Sequence, residues 1–173
     1  MMQRGAAAAL VVATSLLGAM GCQSATAQAP APELVLDRVL RPPVAWIELP
    51  ETAAAARAAA SVDARAWGDP GRGCYAVVIG ARSPRENPED ALGQFSRRLD
   101  PLGLTGWTTT GTDGTGELAH GDVTGRVRAS AIAAGSGAAV IAAACFSNPR
   151  EPATCAARCQ GVLASFDVSK VIP

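Results

Sequence analysis

Two runs of the chain are apolar without a break, CYAVVIGA at residues 74–81 and AAVIAAACF at residues 138–146. Both are short and bounded by Gly or Pro, so each reads as a well-buried strand. Elsewhere the apolar positions take helical spacing. In ENPEDALGQFSRRLDPLG they fall at Leu92, Phe95 and Leu99. Asn87 is placed to cap this helix, Pro88 suits its first position, and Glu89 and Asp90 suit the positive end of its dipole. Pro101 and Gly103 stop it. In NPREPATCAARCQGVLASFDV the apolar positions are 155, 159, 162, 163 and 166, behind Pro152, which predicts a closing helix.

The remaining stretches carry weaker patterns. SVDARAW alternates at Val62, Ala64 and Ala66, and GDPGRG follows it as a turn leading into Cys74, so a hairpin is expected. Trp46, Ile47 and Leu49 predict an entering strand ended by Pro50. TAAAARAAA, residues 52–60, has strong helix propensity and no patterned apolar face; it reads as one short helix or a loop over the sheet. From Trp107 to Val140, Thr and Val runs broken by glycines read as antiparallel hairpins, with turns near 111–116 and 135–137. The order is strand, possible helix, hairpin, helix, meander, helix. That predicts a single α+β domain over residues 33–173, an antiparallel sheet with helices packed on it.

Ahead of this domain the pattern is different. Arg4 is the only charge before Glu33, and Ala6 to Met20 is apolar apart from Thr14, Ser15 and Gly18. About 15 residues is short of the roughly 20 that span a bilayer as a helix. Residues 1–21 therefore read as a secretory signal peptide. AMGC then resembles the lipobox of bacterial lipoproteins, with Cys22 as the lipid-attachment residue and cleavage before it. Ala19 departs from the Leu more usual there. Residues 22–32, polar and Pro-containing, would be the lipidated Cys and a flexible tether. The competing reading is signal peptidase I cleavage after Ala27 in ATA, which would discard Cys22 and leave a secreted or soluble periplasmic protein. With Gln23 rather than Asp after the cysteine, the bacterial sorting pattern implies an outer membrane lipoprotein facing the periplasm.

Composition adds constraints. Fifteen basic and fifteen acidic residues cancel, with no basic patch, so a nucleic acid partner has no electrostatic support. Aromatics are few, three Trp, three Phe and one Tyr, so the core is built from small aliphatics and gains from cross-links. Cys74, Cys145, Cys155 and Cys159 supply them: an even number in an exported domain reads as two disulfides with three possible pairings. Cys155 and Cys159 share a helix face, where a direct bridge would strain the helix. The expected links are thus helix to strand, Cys145 with Cys155 and Cys74 with Cys159. Cys74–Cys145 is the main rival. A zinc site from the four thiols lacks a CxxC knuckle, and no metal is expected.

The element order, PPVAWIELP with Trp46, Leu49 and Pro50, the helix PEDALGQFSRRL, the Gly-broken meander and a closing LASF (163–166) together resemble the PsbP-like fold family, over about residues 40–167. The resemblance implies a PsbP-like α/β/α sandwich and a non-catalytic binding or assembly role, since its shared motifs are packing motifs.

No motif argues strongly for chemistry. His120, the only histidine, lies in HGD with Asp122, and the pair could serve a small periplasmic hydrolase as base and partner; a polar strand end is the plainer account. No serine sits in a GxSxG elbow. GTDGTG fits neither dinucleotide nor P-loop spacing, and Asp113 with Glu117 lacks an EF-hand's ligand series. No catalytic residue and no cofactor is assigned. The expectation is an exported, lipid-anchored envelope protein acting as a non-catalytic binding or assembly module, with the membrane and an envelope protein as partners. The hydrolase and a structural lipoprotein without specific ligand stand as alternatives.

Overall fold

The computed structural model describes residues 33–60, 62–84, 86–120, 122–147 and 152–172. The expected signal peptide, Cys22 and the tether lie outside the described residues. Seven strands form one wholly antiparallel sheet: β1 (Ile47–Glu48), β2 (Asp63–Asp69), β3 (Cys74–Ser83), β4 (Leu104–Thr110), β5 (Asp113–His120), β6 (Val123–Ala134) and β7 (Gly137–Ser147). Their spatial order is β1-β2-β3-β7-β6-β5-β4. Two meanders meet at the β3–β7 pair, which puts β7 in the centre. Its residues 138–145 are all buried. A central strand covered on both faces needs no polar alternation, hence the unbroken AAVIAAAC.

Three helices cover the sheet: α1 (Pro50–Ala60), α2 (Pro88–Leu99) and α3 (Pro152–Ala164). Along β3 and β7 the side chains divide cleanly. Ala76, Val78, Ile141, Ala143 and Cys145 face one core with Val162 and Leu163 of α3, Leu36, Val39 and Trp46. Val140, Ala142 and Ala144 face the other core with Ala91, Leu92, Phe95 and Leu99 of α2. Both ends of the described chain close the α3 face, where the Val35 amide donates to the Val171 carbonyl and the Asp167 amide to that of Val39.

Helix α2 starts as its sequence predicts: the Asp90 amide donates to the Asn87 side chain at 2.9 Å. Gly103, left-handed at φ 76°, reverses the chain after it. Other boundaries move. The entering strand shrinks to Ile47–Glu48, with Trp46 turned into the core. Pro50 does not merely end it but opens α1, the position where a missing N–H costs nothing. The turn expected over 111–116 is confined to Gly111 and Thr112, because Asp113 to Gly116 pair with β6.

The disulfides are Cys74–Cys155 and Cys145–Cys159, with Cα separations of 5.4 and 5.3 Å. All four cysteines gather on the α3 face, and the links join helix to strand as expected, but the pairing corrects the expected Cys145–Cys155 and Cys74–Cys159. Helix α3 begins over the β2–β3 turn, where the Cys155 sulfur lies 3.6 Å from the Arg72 carbonyl oxygen. There Arg158 pairs with Asp69 at 2.8 Å. The helix then runs back over β7 to β6, where Arg128 donates to the Leu163 carbonyl at 3.0 Å. Cys155 thereby sits over β3, and Cys159 over β7.

Candidate functional site

The face opposite the disulfides carries α1 and α2 side by side. Between them the sheet is not fully covered. Tyr75, Val77 and Ile79 of β3 and Phe146 of β7 remain only half-buried, although they point into this layer. The reason lies in α1. The residues it presents to this opening are Thr52, Ala55, Ala56 and Ala59, spaced as one helical stripe. These are small side chains, and the strand residues across from them stay half-buried. Among the described α1 residues only Ala53 is buried. What is left is a groove of about 310 Å³, floored by β3, β7, Val127 of β6 and Leu118 of β5, and closed on the α2 side by Leu99 and Leu102.

The lining is almost entirely carbon. Its only side-chain polar groups are the hydroxyls of Thr52 and Tyr75. Tyr75 stacks on Phe146 at one end, ring centroids 4.9 Å apart and planes 19° from parallel. Burial pushes the Tyr75 phenol above its ordinary pKa, so it is neutral over the physiological range. Interiors are normally close-packed, and an apolar void loses contacts on every wall. A solvent-connected apolar groove of this size is what a hydrophobic ligand site looks like. Among its lining side chains Tyr75 is the only one that titrates.

No protein-family model, curated protein or solved structure matches this chain.

The residues singled out from sequence fall elsewhere. Cys74, Cys145, Cys155 and Cys159 are spent in disulfides beneath α3, away from the groove. Two disulfides fit an exported protein in an oxidising compartment. His120 ends β5 in register with Val123, across a two-residue connection in which Asp122 is exposed; the His120 side chain and Cys22 lie outside what the structure describes. Asp113 and Glu117 stand on one face of β5, four residues and so about 13 Å apart, too far to share an ion. Asp113 accepts a hydrogen bond from Ser130, and Glu117 lies opposite Arg126. Among the described residues no group of three or more His, Cys, Asp or Glu side chains could hold a metal, and no helix is long and apolar enough to cross a membrane.

Sequence reasoning did not find the groove. The available signal was the one treated as a deficiency, a helix of high propensity with no large apolar face. Such a helix laid on a sheet of Val, Ile and Tyr leaves a layer unfilled.

Proposed function

We propose that this chain is an exported, lipid-anchored envelope protein whose folded domain is a non-catalytic binding module, holding an apolar ligand in the groove between α1 and α2. The observation that carries the reading is the carbon-lined groove of about 310 Å³ left open by the alanine stripe of α1. Its hydroxyls are too few to specify a polar substrate. The leader pattern and two disulfides support export, and AMGC supports anchoring at Cys22 on the periplasmic side of the outer membrane. The resemblance to PsbP-like proteins belongs to this proposal too; helices on both faces of an antiparallel sheet favour it.

A polarity-sensitive fluorescent probe tests the ligand reading. The protein should enhance its emission saturably, and Ala56→Phe, which places a ring in the groove, should abolish the enhancement while the far-ultraviolet circular dichroism is unchanged. Equal enhancement by wild type and Ala56→Phe overturns the reading. Intact mass of the membrane-fraction protein tests the anchor: the expected mass is that of the chain from Cys22 plus acyl groups, and an unacylated chain starting at Gln28 overturns it.

A further inference from the structure

Further along β3 from the Tyr75–Phe146 stack, past Val77 and Ile79 of the groove floor, lies a second, separate cleft of about 340 Å³. This cleft is lined by Arg57, Val62, Asp63, Gly80, Ala81, Arg82 and Arg98. Its residues follow directly on those of the groove along three separate elements. On α1, Ala56 lines the groove and Arg57 the cleft. On β3, Ile79 lines the groove and Gly80 the cleft. On α2, Arg98 lines the cleft and Leu99 the groove. The character changes sharply at this boundary. Three arginines meet one carboxylate, and that carboxylate, Asp63, also acts on Arg65. The rest of the chain is balanced, so this local excess is not a by-product of net charge.

We propose that the site takes a single-chain anionic amphiphile, specifically a free long-chain carboxylate, with its hydrocarbon along β3 and its head between Arg57 and Arg98. The proposal rests on the reading that the groove binds apolar ligands and adds the charge and position of the head. From Tyr75 to Ala81 the strand rises about 20 Å, which suits an extended chain rather than a compact ring system. The carbon lining asks for no hydrogen bonds along that length. The guanidinium fork matches a carboxylate in a bidentate way, and the two helices supply one fork each. The stack of Tyr75 on Phe146 marks the methyl end.

Titration calorimetry with three probes of equal chain length separates the claims: dodecanoate, dodecan-1-ol and dodecyltrimethylammonium, all below their aggregation limits. Dodecanoate is expected to bind about tenfold more tightly than the alcohol, the usual scale for a hydrogen bond to a charged group, and the ammonium most weakly. Arg57→Ala combined with Arg98→Ala should abolish the preference for dodecanoate over the alcohol; both side chains are exposed, so the fold tolerates their loss. High salt should shrink the preference in wild type. Equal binding of dodecanoate and dodecan-1-ol, or a preference that survives the double substitution, overturns the anionic head and leaves the apolar groove standing. Failure of all three probes to bind overturns both.

Discussion

Tyr75 is the only tyrosine of the chain, so phenolate absorbance reports one residue at one end of the groove. Burial raises its pKa, and an unperturbed phenol titrates at about 10. The sign follows. A raised folded-state value means that stability is full below the ordinary value and falls as pH climbs through and beyond it. A spectrophotometric titration should give a midpoint above that of free tyrosine. Saturation with dodecan-1-ol should move it higher still, because hydrocarbon displaces the water that solvates the phenolate. Phe146→Ala should bring it back toward the free value by opening the stack. A midpoint indifferent to both would place Tyr75 outside the binding site. Trp107 offers a second residue-scale test. A Cβ added at Gly114, on the neighbouring strand, would overlap the Trp107 ring. Gly114→Ala should therefore destabilise by about 1–3 kcal/mol in denaturant titrations, with Trp107 emission shifting to the red as the ring is displaced.

At the scale of elements, legibility tracked the number of independent signals converging on one segment. Helix α2 had a cap, an N1 proline, acidic residues at its start, a Leu92–Phe95–Leu99 stripe and a glycine stop, and it lies where these place it. The strands β3 and β7 were readable because a central position leaves no room for polar residues. Strand β5 was harder: Asp113, Gly114 and Gly116 look like turn residues, but the glycines are there because Trp107 packs over them. Helix α1 was half-legible, its propensity plain and its packing partner invisible. That gap is the candidate site, and it suggests a stability test. Leu and Ala have similar helix propensities, so Ala56→Leu changes packing and little else. Filling the void should raise stability by about 0.5–2 kcal/mol, seen as a higher melting temperature, while weakening hydrocarbon binding. A loss of stability would mean that α1 already lies too close to the sheet for an added isobutyl group. The expected outcome is the usual exchange of stability against binding.

For the whole molecule, the two faces of the sheet divide the work: α3 is fixed covalently on one, and the groove is open on the other. The closed loops differ greatly, with sequence separations of 81 for Cys74–Cys155 and 14 for Cys145–Cys159. On the chain-entropy account, removing the first should cost about 4.5 kcal/mol and the second about 3 kcal/mol. Against the 5–15 kcal/mol typical of a whole domain, the double variant Cys74→Ala with Cys155→Ala should be close to unfolding at 37 °C, and Cys145→Ala with Cys159→Ala more tolerant. Urea midpoints decide the order. This ranking presumes the pairing, and the sequence allows the pairing to be read directly. Arg158 separates Cys155 from Cys159, and Arg72, Arg82, Arg128 and Arg150 isolate Cys74 and Cys145. Trypsin therefore puts each of the four cysteines on its own peptide. Without reduction, the peptide of residues 73–82 should appear joined to that of 151–158, and 129–150 to 159–170. Residues 73–82 joined to 159–170 would restore the pairing expected from the sequence. It would also mean that α3 starts over β7 rather than β3, since a helix anchored at Cys155 to β7 cannot also set Arg158 beside Asp69.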